Sequence, residues 1–428
     1  MELSEASCKM EKFKLSMQPW IICFAASLFF FYEFIQGNMF ASIADYIMRD
    51  FHIHADKLIV LSSTYYLANV IFLFAAGVML DRFSAKKVLV LAMFFCVLST
   101  FILACTHSYY VALVCRFIIG VGSAFCFLGP IRIASRWFLP RQMALVTGAI
   151  VTMAMSGGLL AQYPLMALVL DVGWREALLD VSWLGVLLLV LMIAWIHDEP
   201  EHAPKKTTAT KKVSIFITAK QAYFNSQTFI AGMYASLMNM AVAVLGAVMG
   251  QLYLVQRLGV SQSEAAVVNG MLFLGAMVGG PLVGWISDRI GLRVLPMRVG
   301  ALLSLVVVLV ILYVPVSLGM MAFLFFMLGL TTTTQVISYP LVAESSSPTI
   351  IALAVSFVSV LLQGGYIVYQ NLFSSILLRQ GGMQIVAGVP VYSLDAYQVA
   401  TLILPISFFI AFIGTFRLKE TACRQQHL

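Results

Sequence analysis

Charge is what this 428-residue sequence lacks most. Only 11% of its residues are Asp, Glu, Lys or Arg, whereas 61% are hydrophobic. Mean hydropathy is +0.95. One soluble core cannot bury so much apolar surface, so the composition excludes an ordinary water-soluble domain and indicates a protein embedded in lipid.

The sequence also lacks the short motifs of ATP-driven and metal-dependent chemistry. It contains no GxxxxGK[ST] phosphate loop and no HExxH zinc motif. Its seven cysteines include no pair at redox or zinc spacing, so those inside apolar runs are interpreted as small apolar residues. ATP-driven pumping and zinc proteolysis therefore have no support, and neither a cofactor nor a metal is expected.

Long apolar runs are what the sequence contains instead. A membrane helix takes about 20 apolar residues. The sequence predicts twelve such spans, numbered 1 to 12 below: 20–47, 57–80, 87–106, 109–131, 142–169, 176–197, 226–256, 263–287, 294–315, 318–342, 348–378 and 396–416. The first run is far longer than a signal-peptide core, so we expect it to remain as an anchor.

The distribution of Lys and Arg predicts the orientation in the membrane. Of 26 such residues, 20 lie before span 1, after span 12 or in the loops that follow spans 2, 4, 6 and 8. Five lie in the opposite loops or at the edge of the adjoining span, and only Arg116 lies well inside a span, since Lys87 and Arg298 are counted with the loops that precede their spans. This positive-inside pattern places both termini in the cytoplasm of a bacterial inner (plasma) membrane, and it argues against nucleic acid as the reason for the +7 net charge.

One polar stretch divides the chain into two halves. The segment "DEPEHAPKKTTATKK" combines Pro, Thr and alternating charge, which is typical of a linker. The predicted organisation is a cytoplasmic N-terminal segment (1–19), a six-helix bundle (20–197), a cytoplasmic linker (198–224), a second six-helix bundle (225–417) and a cytoplasmic tail (418–428).

A charged turn between two apolar runs occurs in each half. The first copy reads "GVMLDRFSAKKVLV" and the second reads "GWISDRIGLRVL". Their Asp residues, Asp81 and Asp288, are 207 residues apart, which is close to half the chain. The repeat therefore indicates two homologous halves.

This motif resembles the signature of the major facilitator superfamily of secondary transporters, which has Gly, three residues, Asp-Arg and then basic residues between helices 2 and 3. The first copy departs from it at residues 83–85, whereas the second keeps Gly291 and Arg293. The resemblance covers about residues 20–417. It implies an all-α membrane protein with twelve transmembrane helices in two pseudo-symmetric six-helix bundles around a central site.

The resemblance also implies gating residues: Gly77, Asp81, Arg82, Gly284, Asp288 and Arg289. In the superfamily such residues hold the two halves together on the cytoplasmic side. We expect Asp81 to approach the start of span 11 at Ser347 and Pro348, and Asp288 to approach the start of span 5 at Pro140. The alternative is that both carboxylates only cap their own turns.

Glu33 and Arg116 are ionisable residues that lie well inside predicted spans, where charge is costly and usually faces a cavity or a partner. Glu33 lies in "LFFFYEFIQGNMF", and Arg116 begins a pattern with Gly120 and Gly122 that resembles the superfamily's span 4 motif. One hypothesis is that Glu33 takes and releases a coupling proton, while Arg116 sets its proton affinity or binds a substrate carboxylate. The other is a fixed structural ion pair.

Polar and aromatic residues at helical spacing mark the walls of a candidate cavity. Many such side chains bond their own backbone or a neighbouring helix. However, they fall on spans 1, 2, 5, 7, 8, 10 and 11, and the resemblance implies that spans of this set line the cavity. The predicted cavity residues are Gln36, Phe40, Tyr65, Tyr66, Asn69, Ser156, Tyr163, Tyr234, Asn239, Asn269, Gln335, Tyr339, Gln363 and Tyr366.

The predicted function is proton-coupled uptake of a small polar nutrient by alternating access. The segments "FFFYEFIQGNMFASI" of span 1 and "LSSTYYLANVIFLFAAGVMLDRF" of span 2 resemble the phagosomal nutrient transporters of intracellular bacteria. This resemblance implies that the solute is an amino acid or a nucleoside. An anionic carboxylate or siderophore attracted by Arg116 is the alternative. Span 5 lacks the Gly-Pro signature of drug antiporters, which favours uptake over drug export.

Two other classes of protein remain possible on sequence grounds. A transporter-like solute sensor needs a cytoplasmic signalling segment, for which the linker and tail are too short. A membrane enzyme needs a clustered nucleophile, base or metal set, which the sequence does not contain. The expected partners are a small-molecule solute, protons and the lipid bilayer, without nucleic acid, and the protein is expected to be a monomer.

Overall fold

Helices make up nearly all of the chain that the structure describes. This computed structural model describes residues 2–138, 143–198, 225–346, 351–380, 384–386 and 389–424. The first six spans consist of Glu2–Asn38 and Phe40–Asp50 (span 1), Ala55–Arg82 (span 2), Ala85–Cys105 (span 3), Tyr109–Cys126 and Leu128–Trp137 (span 4), Met143–Leu160 and Tyr163–Val172 (span 5), and Trp174–Trp195 (span 6).

The second six spans repeat this arrangement. They consist of Ser226–Met238, a π-helical segment Val242–Met249 and Gly250–Leu258 (span 7), Gln262–Ile290 (span 8), Val294–Tyr313 (span 9), Leu318–Thr332, a 3₁₀ segment Thr333–Ile337 and Ser338–Glu344 (span 10), Ile351–Arg379 (span 11), and Leu394–Thr401 and Ile403–Thr415 (span 12). Ten of the described helical stretches are long and apolar enough to cross a membrane. Spans 2 and 11, with 28 and 29 residues, complete the predicted twelve.

The twelve predicted spans and the all-α membrane fold are confirmed, with three local differences. The helix of span 1 begins at Glu2, well before the predicted apolar run. Several spans are interrupted near their middle, which apolar runs do not reveal. The loop after span 11 contains a short antiparallel hairpin of strands Gln384–Val386 and Val389–Val391. Residues 199–224 of the predicted linker lie outside the described residues.

Local sequence signals explain where helices begin and end. Ser261 begins span 8 with a capping box, because its side chain accepts a hydrogen bond from the Glu264 amide while the Glu264 carboxylate accepts one from the Ser261 amide. The same helix ends at Gly291, whose φ of 74° is open to glycine and strained for most other residues. Polar residues flanking the apolar runs therefore set these boundaries.

In each half, a glycine of the fourth span packs directly against the backbone of the second span. A Cβ at Gly120 would overlap the backbone oxygen of Tyr65, and a Cβ at Gly329 would overlap that of Leu272. Tyr65 and Leu272 are 207 residues apart, the same interval that separates the two charged turns. The internal repeat thus extends to backbone packing inside the bundles.

An acidic side chain past the last helix of each half caps the third helix of that half. The Asp198 carboxylate accepts hydrogen bonds from the Ser84 hydroxyl and the Lys86 amide at the start of span 3. The Glu420 carboxylate accepts hydrogen bonds from the backbone amides of Arg293 (2.7 Å) and Val294 (2.8 Å) at the start of span 9. Carboxylates at these helix N-termini satisfy amides that have no partner within the helix.

The two faces of the protein differ in how the bundles meet. Since successive spans run in alternate directions, the described chain ends and the loops after even-numbered spans share one face, called the terminal face here. The loops after odd-numbered spans form the opposite face. The hydrogen bonds given for described residues of different bundles lie toward the opposite face. Examples are Tyr46 to Gln262 (3.1 Å) and the Ala55 amide to the Tyr392 hydroxyl (3.4 Å).

Candidate solute-binding site

Arg116 is completely buried in the middle of span 4. Its Nη1 donates to the backbone oxygen of Gln36 at 2.8 Å, and its Nε donates to that of Leu61 at 3.4 Å. The guanidinium carbon lies 4.7 Å from the centre of the Phe40 ring and 4.8 Å from that of Tyr65. Nη2 is buried and makes no hydrogen bond. Arg116 therefore keeps the two N–H groups of Nη2 for a further acceptor.

Glu33 and Arg116 are connected through Tyr65 rather than by direct contact. The Tyr65 hydroxyl donates to Oε2 of Glu33 at 3.1 Å, while the Tyr65 ring packs on the guanidinium. Within the described part of the chain, no carboxylate oxygen lies within the 4.0 Å ion-pair distance of Arg116. Oε1 of Glu33 is buried without a hydrogen bond. The fixed ion pair considered from the sequence is thus absent from this arrangement.

Gln36 and Phe40 adjoin this group on span 1, as their spacing from Glu33 predicts. Both side chains are fully buried. Neither amide atom of Gln36 makes a hydrogen bond, which is costly inside a protein unless a solute or water supplies one. The first bundle therefore contains a buried carboxylate, a guanidinium and an amide, each with hydrogen-bonding capacity left over.

The second bundle presents uncharged polar groups around span 7. Nε2 of Gln335 donates to Oδ1 of Asn239 at 3.0 Å, and Nε2 of Gln370 donates to the backbone oxygen of Ala243 at 2.9 Å. The amide oxygens of Gln335 and Gln370 are buried without a hydrogen bond. Gln370 was not among the predicted cavity residues.

Two tyrosines join the two sets of polar groups. The rings of Tyr66 and Tyr366 stack across the bundles, with centroids 4.3 Å apart and planes 23° apart. The Tyr66 hydroxyl donates to the backbone oxygen of Gly37 at 3.1 Å, next to Gln36. The Tyr366 hydroxyl lies beside the Asn239 side chain. The predicted residues of spans 1, 2, 4, 7, 10 and 11 therefore meet in one region between the bundles.

Other predicted cavity residues make contacts that hold helices together. Asn69 donates to the Ser123 hydroxyl at 2.7 Å, Tyr234 donates to the backbone oxygen of Met297 at 2.6 Å, and the Ser156 hydroxyl donates to its own helix. Tyr163 is 46% exposed at the start of its helix, which sets it apart from the buried group. Tyr339 (3.5 Å from the Ser359 hydroxyl) and Gln363 are half-buried.

Gln162, the residue before Tyr163, was missed from the sequence although it is central to the contact between bundles. Its Oε1 accepts from Asn269 at 2.8 Å and from Gln251 at 3.2 Å, and its Nε2 donates to the backbone oxygen of Gly246 at 3.1 Å. Ser42 donates to its backbone oxygen at 3.1 Å. A polar amide at the break of span 5, just before Pro164, was the available signal.

The π-helical segment of span 7 supplies the carbonyl groups for these amides. The backbone oxygens of Ala243, Leu245 and Gly246 accept from Gln370, Asn269 and Gln162, which lie on three different spans. π-helical turns often occur at functional sites. A narrow crevice, lined in part by Ser42 and Gln251, opens beside this contact.

The predicted gating residues are only partly described. The side chains of Asp81 and Arg82, together with Pro140, Ser347 and Pro348, lie outside the described residues, so the two contacts expected between halves remain predictions. Asp288 pairs with Arg293 of its own bundle at 2.6 Å, and Arg289 packs on the ring of Trp285 at 5.2 Å. A Cβ at either Gly77 or Gly284 would meet open space.

Comparison with known proteins identifies the family. A family model described as "Major Facilitator Superfamily" matches residues 22–252 and again residues 234–423. This chain belongs to the major facilitator superfamily. It is therefore a multi-pass membrane protein of a secondary-transporter family whose members bind small-molecule solutes.

Two curated relatives within the superfamily are similar over most of the chain. The hexuronate transporter of Bacillus subtilis (strain 168) is 22% identical over 292 residues, which cover 65% of this chain and 66% of that protein. The probable galactarate/D-glucarate transporter GudP of Escherichia coli (strain K12) is 28% identical over 373 residues, which cover 77% of this chain and 80% of that protein.

Solved structures of superfamily transporters share this fold. The inward-facing, unoccupied structure of a bacterial homologue of the human lysosomal transporter Spinster superimposes with a TM-score of 0.74 at 17% identity, covering 93% of this chain and 97% of that one. The nucleoside transporter NupG superimposes with a TM-score of 0.72 at 14% identity, covering 93% and 100%. At these identities the likeness shows the fold alone.

Proposed function

We propose that this protein is a proton-coupled importer of a small polar nutrient that carries a carboxylate group. The observation that carries the proposal is the buried Arg116, whose Nη2 lacks a hydrogen bond and whose charge has no carboxylate within 4.0 Å among the described residues. A buried positive charge is stabilised by a hydrogen-bonded anion. A solute carboxylate supplies that anion during transport.

Glu33 is the proposed proton carrier. It is the acidic side chain connected to Arg116 through Tyr65, and its Oε1 has no hydrogen bond. The proton affinity of a carboxyl group in this position depends on whether a solute anion neutralises the guanidinium. This dependence couples proton binding to solute binding. Proton and solute anion then enter together, so the proton gradient drives uptake.

Alternating access around this site is the proposed mechanism. The contacts of Gln162 with span 7 and span 8 close the opposite face, as an inward-facing carrier requires. Their breakage opens that face while the charged turns close the terminal face. We further propose that the bundles are residues 20–197 and 225–417, that both termini are cytoplasmic in a bacterial inner membrane, and that one chain is sufficient.

The relatives support an acidic solute more than an uncharged one. The hexuronate and galactarate/D-glucarate transporters are named for sugar acids. An amino acid also carries a carboxylate and remains within the proposal. A nucleoside does not, and it leaves Arg116 without an anion.

Uptake by purified protein in liposomes tests the proposal. Labelled D-gluconate, L-leucine and uridine are offered with and without an inward proton gradient, at equal membrane potential. We expect accumulation of at least one of the two carboxylates, dependent on the gradient. Accumulation of uridine alone contradicts the proposed class of solute. Carboxylate uptake that is the same with and without the proton gradient contradicts the proposed coupling.

A further inference from the structure

The second bundle, like the first, contains buried side-chain oxygens that make no hydrogen bond, and three of those near span 7 belong to neutral amides. The buried side-chain oxygens without a hydrogen bond near span 7 include Oε1 of Gln335, Oε1 of Gln370 and Oδ1 of Asn269. Gln370 is 1% exposed and Asn269 is fully buried. Their amide nitrogens are already used as donors. What these groups lack is therefore a hydrogen-bond donor.

The acceptors of Gln335 and Gln370 flank one face of span 7. Gln335 is held by Asn239, and Gln370 is held by Ala243 one helical turn further along. The stacked pair Tyr66 and Tyr366 lies between this face and the backbone of span 1 beside Gln36. A chain of contacts through this tyrosine pair thus connects the amides of the second bundle with span 1, whose Gln36 backbone oxygen binds Arg116.

The chemistry of this second subsite favours hydroxyl groups over an ammonium group. Its members are neutral: Asn239, Gln335, Tyr339, Tyr366 and Gln370. A buried ammonium needs a carboxylate partner, since amide oxygens alone do not compensate for its lost hydration. A hydroxyl group needs only an acceptor for its proton, and the free amide oxygens provide it.

We propose that the transported solute is a hydroxy acid, held with its carboxylate at Arg116 and its hydroxyl groups at Gln335 and Gln370. This inference rests on the proposed function and narrows its substrate class from carboxylates in general to polyhydroxylated ones. The first bundle thereby recognises the charge, and the second bundle recognises the hydroxyl groups at the far end of the same molecule.

Matched pairs of acids test the assignment in the purified full-length protein. D-Gluconate and hexanoate have the same number of carbons and the same charge, but only gluconate carries hydroxyl groups, and norleucine adds an ammonium group instead. Affinity is measured by thermal shift and by competition against uptake. We expect gluconate to bind at least about tenfold more tightly than hexanoate or norleucine, since two neutral hydrogen bonds contribute about 1 kcal/mol each.

Substitution of the two glutamines separates recognition of hydroxyl groups from binding of the acid. Gln335→Met and Gln370→Met keep the side-chain length and remove the acceptor. Each is expected to lower gluconate affinity about five- to tenfold while leaving hexanoate affinity within about twofold. Gln380→Met is the matched control, because Gln380 is exposed at the end of span 11, and it should leave both affinities unchanged.

The outcomes distinguish this inference from the function on which it rests. Equal binding of gluconate and hexanoate, or tighter binding of norleucine, overturns the hydroxy-acid assignment while leaving carboxylate transport intact. An unchanged gluconate-to-hexanoate ratio in both glutamine variants overturns the assignment of the residues. Binding of uridine and of neither acid overturns the proposed function and the inference together.

Discussion

The two bundles share their construction but differ in their chemistry. Gly120 and Gly329 make the same close contact in spans 4 and 10, and they are 209 residues apart. In the second bundle, the residue 209 positions after Arg116 is Phe325, which is fully buried. The residue that corresponds to Tyr65 is Leu272. Duplicated backbone packing therefore coexists with a fully buried guanidinium at this position in only one half. The scaffold can be repeated because the binding chemistry resides in a few side chains.

Removing the charge of the first bundle should have the largest effect. Loss of one partner from a buried charged pair costs about 2–5 kcal/mol, so Arg116→Met should lower kcat/KM for carboxylate uptake about 100-fold or more. Arg116→Lys, which keeps the charge and loses the fork of donors, should recover part of that loss. Uptake by protein matched for folding is the measurement. Wild-type uptake in Arg116→Met would place the anion site elsewhere.

The next largest effect should come from removing the acid of the first bundle, Glu33. Glu33→Gln keeps the shape and the contact with Tyr65 but cannot release a proton. Accumulation against a solute gradient should be lost, whereas exchange of internal for external solute should continue. Both are measured in liposomes, with Tyr65→Phe as the companion variant. Undiminished proton-driven accumulation in Glu33→Gln would remove the coupling role.

The contact between bundles is the third test. Gln162→Met removes the amide that binds Gly246, Gln251 and Asn269. At about 1 kcal/mol for each of the three hydrogen bonds, the closed opposite face should lose about 3 kcal/mol, which shifts its equilibrium toward opening about 150-fold.

Alkylation of a cysteine introduced at a buried position of the crevice measures this opening. Ala41→Cys is suitable because Ala41 lines the crevice and is 4% exposed. Cys105→Ser removes an exposed native thiol from the background. The reagent should react faster in Gln162→Met than in the exposed control Gln380→Met. Equal rates would show that Gln162 does not hold this face closed.

The smallest effect should come from the acids that cap spans 3 and 9. Asp198→Asn and Glu420→Gln should each cost about 1 kcal/mol and lower Tm by about 1–3 °C. Similar losses in both variants would confirm that the caps are equivalent. Asp171→Asn, an exposed acid at the end of span 5, is the control and should leave Tm unchanged.

The Glu420 cap should also show a defined pH dependence. Burial raises the pKa of Glu420, but hydrogen bonds from the backbone amides of Arg293, Val294, Ala422 and Thr421 outweigh it, and the net pKa lies below the usual value. A group with a lowered folded-state pKa stabilises at neutral pH and loses that effect as pH falls through the folded pKa. The Tm difference between wild type and Glu420→Gln should thus shrink below about pH 4.

Much of the fold could be predicted because lipid leaves few alternatives to apolar helices. Apolar runs gave the number of spans, and the repeated turns at Asp81 and Asp288 gave the two halves. The helix interruptions could not be predicted, since the π-helical segment of span 7 is as apolar as a regular helix. Three of its carbonyl groups also accept hydrogen bonds from side chains on other spans, which the sequence of span 7 does not reveal.

The site was predictable as a set of residues but not as an arrangement. Glu33 and Arg116 stand out because charge is rare in apolar runs, and Gln36 and Phe40 follow from helical spacing. Spacing alone could not place Tyr65 between them, nor assign Gln162 a larger role than Tyr163. Those relations depend on the packing of different spans.

The sequence by itself determined that this chain crosses a membrane many times in two related halves, because the free energy of burying apolar side chains and excluding charge depends mainly on composition and order. Only the tertiary structure decided which leftover donors and acceptors face one another. A hydrogen bond forms only when donor and acceptor lie within a few tenths of an ångström of the right distance, and here the two atoms belong to residues far apart in the chain. The unpaired Nη2 of Arg116 and the unpaired oxygens of Gln335 and Gln370 are properties of that packing.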